Sequence, residues 1–195
     1  MTAAEQEYEY IEQARSDPRA FVHLYDHYFP RIHAYVRYRV HSQQDAEDLV
    51  ADVFFKAIGG LGRFRWRKGS SFAAWLFRIA HNLIVDYHRQ HEGVALSLDA
   101  DDDVPELASP APLPEQVLAR RETFREMRDL IATLSPRRQE VITLRFFGGL
   151  HNNEISAILG LDERTVAAHL CRGLQDLQRR YTTERDPEAV MEAEV

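Results

Sequence analysis

Residues 134–177 read LSPRRQEVITLRFFGGLHNNEISAILGLDERTVAAHLCRGLQDL. Two short helical patterns meet there at Gly160-Leu161. The first, Glu154 to Leu159, has Ile155, Ile158 and Leu159 as its apolar positions. The second begins after Asp162 and carries Val166, Leu170 and Leu174 at helical spacing. A carboxylate at Asp162 can accept a hydrogen bond from a first-turn N–H and so start that helix. Two short helices joined through a glycine predict a helix-turn-helix, whose second helix characteristically enters the DNA major groove.

Upstream, Ser135-Pro136 predicts the start of a further helix, Arg137 to Phe147, ended by Gly148-Gly149. Another helical pattern opens at Pro114-Glu115 and runs through Val117, Phe124, Met127, Leu130 and Ile131. Residues 91–114 differ: HEGVALSLDADDDVPELASPAPLP holds four prolines and four aspartates. Proline removes helix donors and like charges repel, so an extended linker is expected. From Ser16 to Gln90 the pattern is again helical. Phe21, Leu24, Tyr25 and Tyr28 share one face, as do Ile32, Tyr35 and Val36. A helix is expected from Ser42 to Ile58, stopped by Gly59-Gly60. A loop follows from Leu61 to Ser70, then a helix striped by Phe72, Leu76, Ile79, Leu83 and Tyr87. No window alternates with period two. The expected fold is all-α: a helical domain over 1–90, an acidic linker over 91–114, a helix-turn-helix domain over 115–181, and a frayed acidic tail over 182–195.

A chain of 195 residues suffices for one domain or two small ones. Its 45% apolar and 28% charged residues are ordinary for a soluble globular protein. No apolar run approaches the ~20 residues needed to span a bilayer. The acidic start, MTAAEQEYEYIEQ, lacks the apolar stretch of a signal peptide. Cys171 is the sole cysteine, so no intramolecular disulfide can form and a cytoplasmic location fits. The net charge of −7 is unevenly spread. Residues 61–90 carry 6 basic and 1 acidic groups, whereas 91–115 carry 7 acidic and no basic ones. Residues 116–181 are basic again, 11 against 8. Nucleic-acid binding depends on such local blocks rather than on the overall charge.

Two blocks outside the helix-turn-helix carry chemistry. Asp45, Asp48 and Asp52 recur at i, i+3 and i+7 with Glu47 beside them, and Leu49, Val53 and Phe54 face the core. That makes an acidic helix face, suited to a basic helical partner. Residues 63–68 alternate cations with aromatics: Arg63, Phe64, Arg65, Trp66, Arg67, Lys68. Phe72, Trp75 and Arg78 follow. Cations hold phosphates and aromatics stack on unpaired bases, so this mixture suits single-stranded DNA. Phe72, Trp75, Leu76 and Ile79 are better read as core. The histidine pairs His23/His27 and His88/His91 have helical spacing but no further ligands, so no metal is expected. No phosphate-binding glycine loop or nucleophile–base pair is evident, so neither a cofactor nor an enzyme activity is expected.

Taken in order, these blocks resemble the extracytoplasmic-function, or group IV, sigma factors of bacterial RNA polymerase. DAEDLVADVFFKAI (45–58) is similar to the polymerase-binding helix of region 2. SFAAWLFRIAHNLIVDYHRQ (71–90) is similar to the helix that reads the −10 element, and the helix-turn-helix resembles region 4, which reads the −35 element. The resemblance spans about residues 16–181. It implies a non-enzymatic initiation factor, monomeric when free, whose partners are core RNA polymerase, promoter DNA and an anti-sigma factor. It implies that Asp45, Glu47, Asp48 and Asp52 meet the polymerase clamp. It also implies that Arg63, Phe64, Arg65, Trp66, Arg67, Lys68 and Asn82 hold the −10 single strand, Phe64 and Asn82 matching a base pocket. The acidic linker would thread the polymerase cleft.

This chain departs from the family at two places. Ala51 stands where glutamine is usual. The recognition helix reads Arg164, Thr165, Val166, Ala167, Ala168, His169, so two groups that would touch DNA are alanine. Arg164, Thr165, His169 and Arg172 remain as expected contacts, and weak or unusual −35 recognition follows. LSPRRQEV and TVAAHL also resemble helix-turn-helix response regulators, which bind duplex DNA without polymerase. A sigma-like interaction protein with weak DNA binding is a third reading.

Overall fold

The computed structural model describes residues 2–40, 42–66, 71–91 and 114–185. Among them every regular element is helical, and the helices fall into two compact units. The first unit contains α1 (Ala3–Ser16), α2 (Val22–Arg39), α3 (Gln43–Gly60) and α4 (Phe72–His91). Short 3-10 turns at Pro18–Phe21 and Leu61–Arg63 precede α2 and follow α3. The second unit contains α5 (Pro114–Ala132), α6 (Pro136–Phe146), α7 (Asn152–Leu159) and α8 (Glu163–Arg185).

The first unit contains a helix that the apolar pattern does not announce. α1 begins with a reciprocal cap: the Thr2 hydroxyl accepts from Glu5 N–H at 3.3 Å, and the Glu5 carboxylate accepts from Thr2 N–H at 2.6 Å. Only Ile11 and Ala14 are buried among its described side chains, too few for a visible stripe. α2 runs straight through Pro30 although proline forfeits a backbone donor there. Leu24, Tyr28, Ile32, Tyr35 and Val36 are all buried, and packing of that extent, about 1.5–3 kcal/mol per large side chain, outweighs the lost bond. Tyr25, expected on the same face, lies at its edge, half-exposed, against Phe29 and Phe54.

α3 starts as expected at Ser42, whose hydroxyl accepts from Asp45 N–H at 3.2 Å. It does not stop at the glycines, which complete its last turn. Gly60 instead lets the Trp75 ring come close: a Cβ there would lie 3.1 Å from it. α4 starts at Ser71, whose hydroxyl accepts from Ala74 N–H. It buries a broad face of Phe72, Ala73, Ala74, Leu76, Phe77, Ala80, His81, Leu83 and Ile84. Ile79 and Tyr87, expected in its stripe, are only partly covered.

In the second unit α7, α8 and the tight turn between them form the expected helix-turn-helix. Gly160 is left-handed at φ 65°, a conformation that costs glycine little, and Leu161 N–H donates to Ser156 C=O at 3.0 Å. Asp162 accepts from Arg164 N–H at 2.8 Å, the cap that the sequence predicts. Glu154 is buried because its carboxylate accepts from His151 N–H at 2.9 Å and closes the start of α7. Ile155 and Val166 are fully buried, but Leu174 is exposed. Gln139 donates to the carbonyls of Ala132 and Leu134 and so ties the turn between α5 and α6.

The linker of 91–114 lies outside the described residues except at its ends, where His91 closes α4 and Pro114 opens α5. The tail corrects one boundary. Residues 182–185 continue α8, with Thr182 bonded back to Gln178 C=O at 3.0 Å, and 186–195 lie outside the described residues. No helix among the described residues is long and apolar enough to cross a membrane.

Candidate functional site

On α3 the side chains that face solvent are Gln44, Glu47, Asp48, Ala51, Asp52, Phe55, Lys56 and Ile58. Ala46, Leu49, Val50, Val53, Phe54 and Ala57 already fill its inner face. Successive helical residues are about 100° apart, and with Val53 and Phe54 turned inward the next residue, Phe55, points away from the core. Phe55 is 78% exposed and Ile58 46%. The acidic face therefore has an apolar lower half that charge counting alone passes over. Asp45 is set apart from Asp48 and Asp52. It is half-buried, and its carboxylate accepts from the Tyr87 hydroxyl at 2.7 Å. Burial, then Asp45 itself, pushes the Tyr87 hydroxyl up to about 12, so it remains a donor. Asp45 thus joins α3 to α4.

The loop after α3 is built around Phe64. Its ring is 5% exposed and meets Trp66, Phe72 and Trp75 with centroids 5.2–5.4 Å apart. Phe72 in turn packs on Tyr28 of α2. Such edge-on and tilted contacts add about 0.5–1.5 kcal/mol each beyond burial. Phe64 is therefore closed to a base in this conformation, whereas Trp66 is 38% exposed. Arg63 and Arg65 reach solvent. Arg65 also turns back on its own loop, donating to Gly62 C=O at 2.7 Å and Phe64 C=O at 2.9 Å. Arg67 and Lys68 lie outside the described residues. Asn82 is exposed on α4, on one face with Arg78, Val85 and Arg89 at helical spacing. Trp75, expected in the core, is mostly covered by Phe64, Phe72 and the close approach to Gly60.

α1 contributes residues that the sequence reading missed. Arg15 donates to the carbonyls of Leu61 (3.4 Å) and Phe64 while pairing with Glu12. The Tyr8 ring lies 6.0 Å from Trp66. Glu7 accepts from the Tyr28 hydroxyl, whose titration is pushed up first by burial and then by that carboxylate. A Thr-x-x-Glu cap at Thr2-Glu5 is the signal by which α1 could have been found.

On α8, Arg164, Thr165, Ala167, Cys171 and Arg172 are exposed, and Ala168 and His169 are half-buried. The helix is held from behind by an ion pair between Arg138 and Asp176. His23 stacks on Tyr10 and His91 on Tyr87, and no cluster of three metal-ligating side chains occurs among the described residues.

A model described as Sigma-70 region 2 matches residues 24–93, and one described as Sigma-70, region 4 matches 124–177. The chain is 31% identical over 168 residues to the RNA polymerase sigma factor YlaC of Bacillus subtilis, covering 86% of this chain and 95% of that protein. It is 31% identical over 174 residues to the ECF RNA polymerase sigma factor BldN of Streptomyces coelicolor, covering 88% of this chain and 64% of that longer protein. Among solved structures, CnrH in complex with the cytosolic domain of CnrY superposes with a TM-score of 0.64 at 24% identity, covering 89% and 96% of the two chains. That likeness is one of fold.

Proposed function

The chain belongs to the sigma-70 family, as an extracytoplasmic-function RNA polymerase sigma factor, and from that premise we propose how its residues divide the work of initiation. The outer face of α3 docks on core polymerase, with Glu47, Asp48 and Asp52 steering and Phe55 and Ile58 supplying the buried contact. Charges set encounter and register across an interface, while desolvated aromatics dominate its energy. Asp45 acts indirectly, through Tyr87.

Arg63, Arg65 and Trp66, with Arg67 and Lys68, hold the displaced strand of the −10 element, and Asn82 reads a base edge on the neighbouring face of α4. Phe64 supports the loop from inside. Arg164, Thr165, His169 and Arg172 contact the −35 element, thinly because of Ala167 and Ala168. The phosphodiester chemistry belongs to the polymerase, and the protein acts beside it in the cytoplasm. An anti-sigma factor covering the polymerase and DNA faces would hold it inactive.

The observation that carries this division is the exposed Asp48–Asp52–Phe55 face beside a buried, structural Phe64. Run-off transcription with purified core polymerase on genomic fragments tests it. Promoter-specific transcripts from the wild-type chain that are lost with Asp48→Arg, together with core binding, support the α3 contact. Unchanged core binding by Asp48→Arg and by Phe55→Ala would sink it.

A further inference from the structure

Arg15 on α1 reaches the loop that the reading above assigns to the melted strand. Where α3 ends, its last carbonyls lose their helical partners, a general consequence of helix geometry. Leu61 C=O accepts one backbone bond among the described residues, from Phe64 N–H at 3.1 Å. Gly62 and Phe64 C=O receive Arg65, which belongs to the loop itself. A bond within the loop fixes its shape and moves with it. Among the described residues, the guanidinium of Arg15 reaches these carbonyls from a separate helix, and it takes Leu61 and Phe64 together. Its own base is rigid: Ile11 and Ala14 seat α1 in the core, Glu12 holds the guanidinium, and Glu7 accepts from Tyr28 of α2. Tyr8 meets Trp66 from the same helix. A cation at this point also complements the negative end of α3 and offsets carbonyl dipoles that would repel a phosphate.

We propose that Arg15 is a positioning residue for promoter melting: it fixes the 61–66 loop against α1 so that Arg63 and Trp66 are presented to the unpaired strand. This rests on the assignment of that loop to single-stranded DNA. Arg15 touches no DNA. Its loss leaves every loop side chain present but lets the segment shift as a unit, and polar contacts are steeply sensitive to such shifts.

The test uses holoenzyme reconstituted from the full chain and core polymerase. The probe is a single-stranded oligonucleotide carrying the non-template −10 strand of a promoter mapped by run-off transcription. Arg15→Ala is expected to weaken oligonucleotide binding about tenfold with core affinity unchanged, and Arg15→Lys to recover part of the loss. Trp66→Ala and Arg63→Ala are measured alongside. If they weaken binding and Arg15→Ala does not, the positioning role is overturned while the loop assignment stands. If none of the three matters, the loop assignment itself fails and the proposal with it. A parallel fall in core and oligonucleotide affinity for Arg15→Ala marks a general folding role and also overturns it. Should Arg15→Ala fail to fold, Arg15→Gln decides on the same two affinities.

Discussion

His33 lies on α2 with its ring stacked on Phe29, centroids 5.4 Å apart. Its Nδ1 is buried and makes no hydrogen bond among the described residues. Burial first, then the Arg37 guanidinium, push its titration below the ordinary value of 6.5, and Glu47 opposes them only in part. The folded value is thus lower than the unfolded one, and the unfolded chain takes the proton first. The stability gained by keeping His33 neutral is present above about pH 6.5 and is lost as pH falls towards its folded value. Urea midpoints measured from pH 7.5 to pH 5 are expected to decline, and His33→Gln to flatten that decline. A decline of the same size in His33→Gln would remove His33 from the account. Phe64 and Asp45 teach a related lesson. In sequence, an aromatic among arginines reads as a base-stacking group and an aspartate in an acidic run as a partner contact. Only the neighbours Phe72, Trp75 and Tyr87, all on another helix, show that both are engaged inside the protein.

The crossing of α6 and α8 depends on the absence of a side chain at Gly173. A Cβ there would sit 2.6 Å from Cδ1 and 3.4 Å from Cγ1 of Ile142, which is itself buried. Alanine would improve helix propensity by up to about 1 kcal/mol. Overpacking of this kind costs about 1–3 kcal/mol. Gly173→Ala is therefore expected to destabilise the protein by about 1 kcal/mol in chemical unfolding. Ile142→Val removes Cδ1, so the double variant Gly173→Ala/Ile142→Val is expected to be more stable than the sum of the two single effects. Simple additivity would show that the two positions do not meet. Helices with a broad apolar face, such as α4, were legible because periodicity reports burial directly. α1 was not, because it buries few side chains and many of its ties to the unit are polar contacts, to the 61–64 segment and to Tyr28.

Charge is partitioned along the whole chain, and that partition governs how DNA binding responds to salt. The basic block of 116–181 is only modestly positive, and α8 presents Arg164 and Arg172 as its exposed cations near the turn. Each phosphate neutralised contributes a slope of about −0.9 to the logarithmic salt dependence. For holoenzyme on duplex promoter DNA, Arg172→Ala is expected to make the slope shallower by about one. Ala167→Lys, which restores a cation at an exposed position of α8, is expected to steepen it by about one. Slopes unchanged in both variants would mean that this face does not meet the phosphate backbone.

Local patterning was enough to read the helical class, the turn at Gly160, the capping aspartate Asp162, the acidic face of α3 and the order of blocks that marks the family. Each of these is written within a few residues of chain, in periodicity, caps and charge spacing. The burial of Phe64, the tie between Asp45 and Tyr87, the outward position of Phe55, the crowding at Gly173 and the grip of Arg15 on the 61–64 carbonyls came only with the tertiary structure. Most of these depend on which groups meet across tens of residues. Phe55 is turned outward because its neighbours on α3 claim the core. A helical period says which face turns inward but not what will be waiting there.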